Sequence, residues 1–224
     1  MRIAIDGPAG AGKSVISALV AERTGFGRLD TGAMYRALGL KALRAGVDVD
    51  DAAALEAMLA ATELDVRCVE GETRVLLDGE DVSALIRTQE VSAAASHVSA
   101  VGPVRGWLLG KQRAIAAAGD VIMDGRDIGT HVLPDAEVKI YLTASDEVRA
   151  RRRLSQLREG GAQASYEDVL REVRERDRRD MTREISPLRR ADDACLVDSS
   201  DMTIEQVVDA IMARVEAARR GMEA

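Results

Sequence analysis

Aromatic side chains are nearly absent from this chain of 224 residues: one Trp, one Phe and three Tyr make up 2% of it. Proteins that hold single-stranded nucleic acid stack bases on aromatic platforms, so the composition argues against that class. It also leaves the core to Leu, Ile, Val, Met and Ala. Long apolar runs are missing as well, and none approaches the roughly 20 residues a membrane span needs. The two cysteines, Cys68 and Cys195, lie far apart in the chain and have no metal-ligand spacing. Both read as small core residues of a reducing compartment. Met1 leads directly into the strand-like Arg2-Ile3-Ala4-Ile5-Asp6, without the apolar stretch of a signal peptide. A cytoplasmic protein is expected.

Positive charge is in deficit too. The net charge of −7 argues against a general polyanion binder. Yet Arg149, Arg151, Arg152, Arg153, Arg171, Arg174, Arg176, Arg178, Arg179 and Arg183 crowd one late stretch. A basic cluster on an acidic chain suits a compact anion better than a long nucleic acid.

What remains is an ordinary globular composition, 46% hydrophobic and 31% charged, long enough for one domain with a modest insertion. Ile3-Ala4-Ile5, Val121-Ile122-Met123-Asp124, Val138-Lys139-Ile140-Tyr141-Leu142 and Cys195-Leu196-Val197 read as strands. Helical patterns run from Lys13 to about Arg23, from Asp30-Thr31-Gly32 past Leu43, from Val101 to Ala118, and on from Thr203. Two Arg-rich helices are expected between about Ser145 and Thr182, around Gly160-Gly161. Such alternation implies an α/β fold with a parallel sheet and ligands at the carboxyl ends of its strands. Residues 45–100 break the alternation. Asp50-Asp51 opens a helix there, and two alternating runs about Glu70-Gly71-Glu72 predict a hairpin. This stretch reads as an inserted subdomain.

Gly7-Pro8-Ala9-Gly10-Ala11-Gly12-Lys13-Ser14 fits G-x-x-x-x-G-K-[ST] between a strand and a helix, the context a phosphate cradle requires. Small residues let backbone N–H groups close around phosphates, and the helix N-terminus adds positive potential. Lys13 suits the β- and γ-phosphates, and the Ser14 hydroxyl suits Mg²⁺. A cradle alone specifies only a nucleotide triphosphate. Asp30 or Thr31 reads as a helix cap or as the start of a second phosphate site, with Arg36 one turn on. Asp124-Gly125-Arg126-Asp127 ends a buried strand. Asp124 suits Mg²⁺ through water, Arg126 suits phosphate, and Asp127 suits a hydrogen-bond donor. Arg176, Asp180 and Arg183 fall on one helical face, either as an ion-pair ladder or as a binding surface. Arg149, Arg152 and Arg153 fall near another, either as a basic surface or on a lid that closes over the transferring group.

Taken together, these stretches resemble the bacterial cytidylate kinases. The resemblance rests on Ile5 to Ser14, Leu29 to Arg36, Ile86-Arg87-Thr88-Gln89-Glu90-Val91-Ser92, Asp124 to Thr130, and Pro187-Leu188. It spans nearly the whole chain and implies a P-loop parallel sheet flanked by helices. The implied reaction is transfer of the γ-phosphoryl of ATP to CMP or dCMP with Mg²⁺. By resemblance Gly7 to Val15 would bind ATP. Thr31, Arg36, Arg126 and Arg183 would hold the CMP phosphate, and Ser96, Arg105 and Asp127 would read cytosine. Asp180, steadied by Arg176, would hold the sugar, and Arg149, Arg152 and Arg153 would belong to a lid spanning about 149–183. The 45–100 insertion would be the monophosphate-binding subdomain. Lys13, Arg126 and the lid arginines would be the catalytic groups. Two positions depart from the family's usual pattern: Val15 stands where Thr is frequent, and Thr31 where Ser is.

An acceptor that is already a phosphate anion needs no strong base, so His97 and His131 read as incidental or structural. The expected partners are small nucleotides, without nucleic acid or membrane, and the expected state is a monomer. Another small P-loop kinase, acting on UMP or dephospho-coenzyme A, stays open on the residues alone. So does a nucleotide switch without an acceptor.

Overall fold

The computed structural model describes residues 1–69 and 72–222, with backbone alone at 68, 69 and 72. Five strands form a parallel sheet: β1 (Arg2–Asp6), β2 (Gly27–Asp30), β6 (Val121–Gly125), β7 (Val138–Thr143) and β8 (Cys195–Asp198). Their order is β2-β6-β1-β7-β8, with β1 at the centre and Ile5 opposite both Asp124 and Ile140. A second sheet of three strands is antiparallel: β3 (Leu64–Val69), β4 (Glu72–Leu77) and β5 (Glu80–Asp81). The hairpin expected in the insertion is therefore present, while its turn at Glu70-Gly71 lies outside the described residues.

The main strands alternate between two apolar clusters. Ile3, Ile5, Ile122, Ile140 and Leu142 pack beneath α1 (Lys13–Thr24) and α8 (Ile204–Met222), meeting Ile16, Val20, Val208 and Ile211. Ala4, Leu29 and Met123 face the other way, onto α2 (Thr31–Ala45) and α5 (Gly102–Ala117). A sheet covered on both faces explains the near-continuous apolar runs of β1 and β6. The insertion also contains α3 (Ala52–Ala60) and α4 (Gln89–Val98). Its Leu55, Val75 and Val91 join the cluster that holds Ala4 and Met123. The insertion thus shares the main core.

The Arg-rich pair, α6 (Asp146–Glu159) and α7 (Tyr166–Thr182), has its own small cluster of Ala150, Leu154, Val169 and Val173. Each helix begins at a serine cap, Ser145 and Ser165, followed by acidic residues in the first turn. Both features suit the positive end of a helix.

Four features differ from the sequence reading. β2 and α4 were not expected. Arg183 stands one residue past α7, as its cap, with extended backbone, and so does not share the helical face of Arg176 and Asp180. Cys195 is only partly buried at the rim of a cluster instead of sitting inside it; the side chain of Cys68 lies outside the described residues.

Candidate active site

A cleft of about 500 Å³ opens at the carboxyl ends of the strands. The loop after β1 supplies Ala9 to Gly12, and Lys13 to Ile16 continue the wall in α1. The end of β2 supplies Asp30, the start of α2 supplies Thr31, Tyr35 and Arg36, the end of β6 and the residues after it supply Asp124 to Asp127, and Ser199 follows β8. Ser96, Arg105, Arg176, Asp180 and Arg183 line it as well, together with Arg152 and Arg153 of α6. Gly7, Pro8 and Arg149 are not among the lining residues.

The cradle has a local cause. Gly7 has φ +149°, and a Cβ there would lie 1.9 Å from the carbonyl oxygen of Leu142 on β7. Only glycine lets the chain leave β1 so close to the neighbouring strand. Gly12 caps α1 with φ 96° and supplies no side-chain bond, so the helix starts with N–H groups that no side chain covers. Lys13 is buried, and its Nζ donates to the carbonyls of Gly7 (2.7 Å) and Pro8 (2.8 Å). Burial, and then the nearby Arg126, push its pKa well below the usual lysine range.

Asp124 stands behind the cradle. Ser17 Oγ donates to it at 2.7 Å and receives a bond from Arg28 Nε, also at 2.7 Å. Ser14 Oγ lies 3.4 Å from the other carboxylate oxygen. Burial, then the charge of Asp30, raise the pKa of Asp124. Asp6 at the end of β1 accepts from the backbone N–H groups of Ile128 (2.8 Å) and Gly129 (2.7 Å), fastening the turn that follows Asp127. Burial pushes the Asp6 pKa up to about 6, against those two bonds.

The far end is crowded with cations. Arg126 Nε donates to Asp180 Oδ2 at 2.9 Å. Burial would raise the pKa of Asp180, but Arg126 and Arg176 prevail and hold it below the usual carboxylate range. Asp180 is therefore tied first to Arg126, with Arg176 acting on it through charge. Arg176 is half-buried near Arg126, Arg36 and Arg153, and its partial burial first, with those cations, lowers its pKa to about 10. Arg105 donates to Asp127, and Arg183 Nη2 stands 3.6 Å from the same carboxylate. The Arg105 guanidinium also lies 5.6 Å from the centre of the Tyr35 ring. Arg36 is held by Asp30 at 2.7 Å, and Asp30 also caps α2 by accepting from Ala33 N. The Thr31 hydroxyl donates to the carbonyl of Asp124 at 2.8 Å.

Four buried atoms among these residues have no hydrogen-bond partner: Ser96 Oγ, Arg105 Nε, Arg176 Nε and Arg183 Nη2. Buried polar groups are almost always bonded, so polar groups left over around one cleft point to a ligand that completes them. The surplus of cations gives that ligand its sign.

Arg149 has a different place. Its guanidinium is buried between Asp146 and Asp177, the latter at 2.6 Å, and donates to the carbonyls of Ala144 (2.9 Å) and Ala9 (3.1 Å). It fastens α6 to α7 and to the cradle from behind. Arg152 donates to the Ser199 carbonyl at 2.9 Å and Arg153 lines the cleft, so the three arginines expected to act together are divided by burial. Tyr35 and Arg28 were missed by the sequence reading. Tyr35 had a usable signal, as one of three tyrosines and the neighbour of Arg36.

With this geometry in hand, the relatives are consistent. The cytidylate kinase family model matches residues 3–217. The cytidylate kinase of Pelotomaculum thermopropionicum is 52% identical over 219 residues, covering 97% of each chain. That of Caldicellulosiruptor saccharolyticus is 50% identical over 212 residues, covering 95% of this chain and 94% of its own. A solved structure from Eubacterium ventriosum ATCC 27560, described as an uncharacterized protein, aligns with a TM-score of 0.52 over 97% of this chain and 98% of its own. At 12% identity that likeness concerns the fold alone. The chain belongs to the cytidylate kinase family.

Proposed function

We infer that the cleft transfers the γ-phosphoryl group of ATP to CMP or dCMP, giving ADP and CDP or dCDP. The observation that carries the site assignment is the set of unpartnered buried atoms on Ser96, Arg105, Arg176 and Arg183, lined up beside a phosphate cradle. Family membership supplies the reaction.

Gly7 to Val15 hold the triphosphate of ATP in this reading. Lys13 leaves the Gly7 and Pro8 carbonyls for the β- and γ-phosphates, where its charge is most favourable. Thr31, Arg36, Arg126 and Arg183 hold the acceptor phosphate. Arg36 must exchange Asp30 for that phosphate, and the Thr31 hydroxyl must turn from the Asp124 carbonyl. Ser96, Arg105 and Asp127 meet the cytosine edge: Asp127 accepts from the exocyclic amino group, and Arg105 donates to the ring acceptors. Uracil reverses the donor and acceptor pattern and would leave buried groups unpaired, a strong basis for rejection. Asp180 and Arg176 hold the sugar. Arg152 and Arg153 are the lid arginines over the transferring group, and Arg149 supports them from behind.

The acceptor oxygen is already anionic, so positioning and charge neutralisation carry the rate. Ser14 and Asp124 fit magnesium: both offer oxygen, they lie 3.4 Å apart, and Asp124 carries a raised pKa that a cation would relieve. Asp124 would act through water. When bound, the ion supplies positive charge against the β- and γ-phosphate oxygens. All these groups come from one chain, which fits a monomer, and the use of ATP fits the cytoplasm.

The test is ADP release from Mg-ATP with CMP, dCMP, UMP, AMP or GMP as acceptor. Turnover with CMP and dCMP well above the others is expected. A preference for another acceptor would overturn the roles of Ser96, Arg105 and Asp127. ATP turnover indifferent to any acceptor would overturn the transfer itself.

A further inference from the structure

His97 stands in the middle of a polar chain that crosses from the insertion to α7. Its Nδ1 lies 2.9 Å from Asp50 Oδ1, in the connection between α2 and α3. Its Nε2 lies 2.9 Å from Arg179 Nη1. The chemistry places the protons. A guanidinium only donates, so Nε2 must accept, and the ring must be neutral with its hydrogen on Nδ1, directed at Asp50. Arg179 Nε is buried without a partner, so among the described residues the hydrogen bond of this guanidinium goes to His97.

The neighbours of the chain give it a function. Ser96, whose buried hydroxyl is unpartnered, precedes His97 on α4. Asp180, bonded to Arg126, follows Arg179 on α7. The same end of α4 leads to the Ser99 carbonyl, which accepts from Arg105 Nη1 at 3.0 Å. A tie between His97 and Arg179 therefore sets the distance between two walls of the cleft, one on α4 and one on α7. We propose that neutral His97 is a positioning residue that clasps α4 to α7 around the acceptor, and that protonating it weakens acceptor binding selectively. The proposal rests on assigning this end of the cleft to CMP.

A proton on Nε2 would set two donors, both on cations, against each other at 2.9 Å. Among the described residues, the charged groups bonded to the ring are Asp50 from the α2–α3 connection and Arg179 from α7. Asp50 offsets little of the repulsion, because its side chain is 72% exposed and screened by water. Glu175, one turn back on α7, is paired with Arg178, and Asp180 is paired with Arg126. Neither is free to neutralise an imidazolium. Acid that adds this proton would therefore loosen the clasp.

The test compares wild type with His97→Gln, whose amide oxygen can still accept from Arg179 but cannot titrate. KM for CMP, KM for ATP and kcat are measured between about pH 5.5 and 8. The CMP phosphate itself takes up a proton near pH 6, equally for both enzymes, so the readout is the difference between them. At the acid end the wild-type KM for CMP is expected to rise about fivefold more than the variant's, the size of one hydrogen bond. KM for ATP and kcat should keep the same profile in both. Arg179→Gln, which removes the repelling cation, should flatten the same excess. Superimposable CMP profiles would overturn the proposal, even if the variant melts lower. An excess confined to KM for ATP would instead overturn the acceptor assignment of this end of the cleft.

Discussion

Asp127 carries two tasks on one carboxylate. It balances Arg105 and Arg183, and in the proposed function it would accept from the cytosine amino group. Asp127→Asn keeps the shape and removes the charge. It is expected to raise KM for CMP by tenfold or more, as loss of a charge-assisted bond does, with KM for ATP within about twofold. Equal losses for both substrates would assign Asp127 to the fold. Arg176 offers the opposite contrast. It is half-buried near Arg126, Arg36 and Arg153, which with that partial burial bring its pKa down to about 10. The cost of those crowded charges is borne by the empty protein. Arg176→Met should therefore raise the melting temperature of the ligand-free protein by a few degrees, while KM for CMP rises about tenfold. A variant that melts lower would show that Arg176 holds the fold together.

At the scale of elements, legibility followed locality. The cradle was readable because its eight residues are contiguous and its strand and helix flank it. β2 was not, because Arg28 and Asp30 interrupt its alternation for reasons outside the strand: one pairs with Asp124, the other holds Arg36. α4 was hidden by Ser and Ala on its buried face, although Thr88, which accepts from Val91 N, was a usable cap signal. Arg149 was misplaced because Arg149, Arg152 and Arg153 look alike in sequence. Which of them is buried depends on Asp177, 28 positions on. That pair gives an element-scale prediction. Arg149→Met would leave Asp177 buried without its counterion, which costs about 3–5 kcal/mol for a broken buried pair. Urea unfolding should detect it, and Arg152→Met should cost much less. Equal costs would mean that Asp177 finds another partner. Roles for Thr31 and Arg36 were suggested by the sequence, but their present bonds to the Asp124 carbonyl and to Asp30 were not. Those bonds depend on how β6 and α2 meet.

Across the whole molecule, one carboxyl shapes the acid side of stability. Asp6 has a folded-state pKa of about 6, above its ordinary 3.8. In that window the folded chain holds a proton that the unfolded chain has lost. Its contribution is therefore most favourable below the lower value and declines as pH rises to the upper one. Two units correspond to about 3 kcal/mol at most. Asp6→Asn should remove this slope between about pH 4 and 6, at the expense of one of the two bonds to Ile128 and Gly129. Unfolding curves of both proteins across that range provide the check, and parallel slopes would refute it.

The helix pair α6–α7 carries its own apolar cluster, and several of its ties to the rest of the chain are polar: Arg149 to Ala9, Arg152 to Ser199 and Asp180 to Arg126. Oily seams resist sliding because any shift opens a void. This seam is held instead by a few directional bonds, with Arg149 and Asp180 among their buried members. The pair is thus built like a visor on pins: stiff within itself, and reseated only when those bonds exchange together.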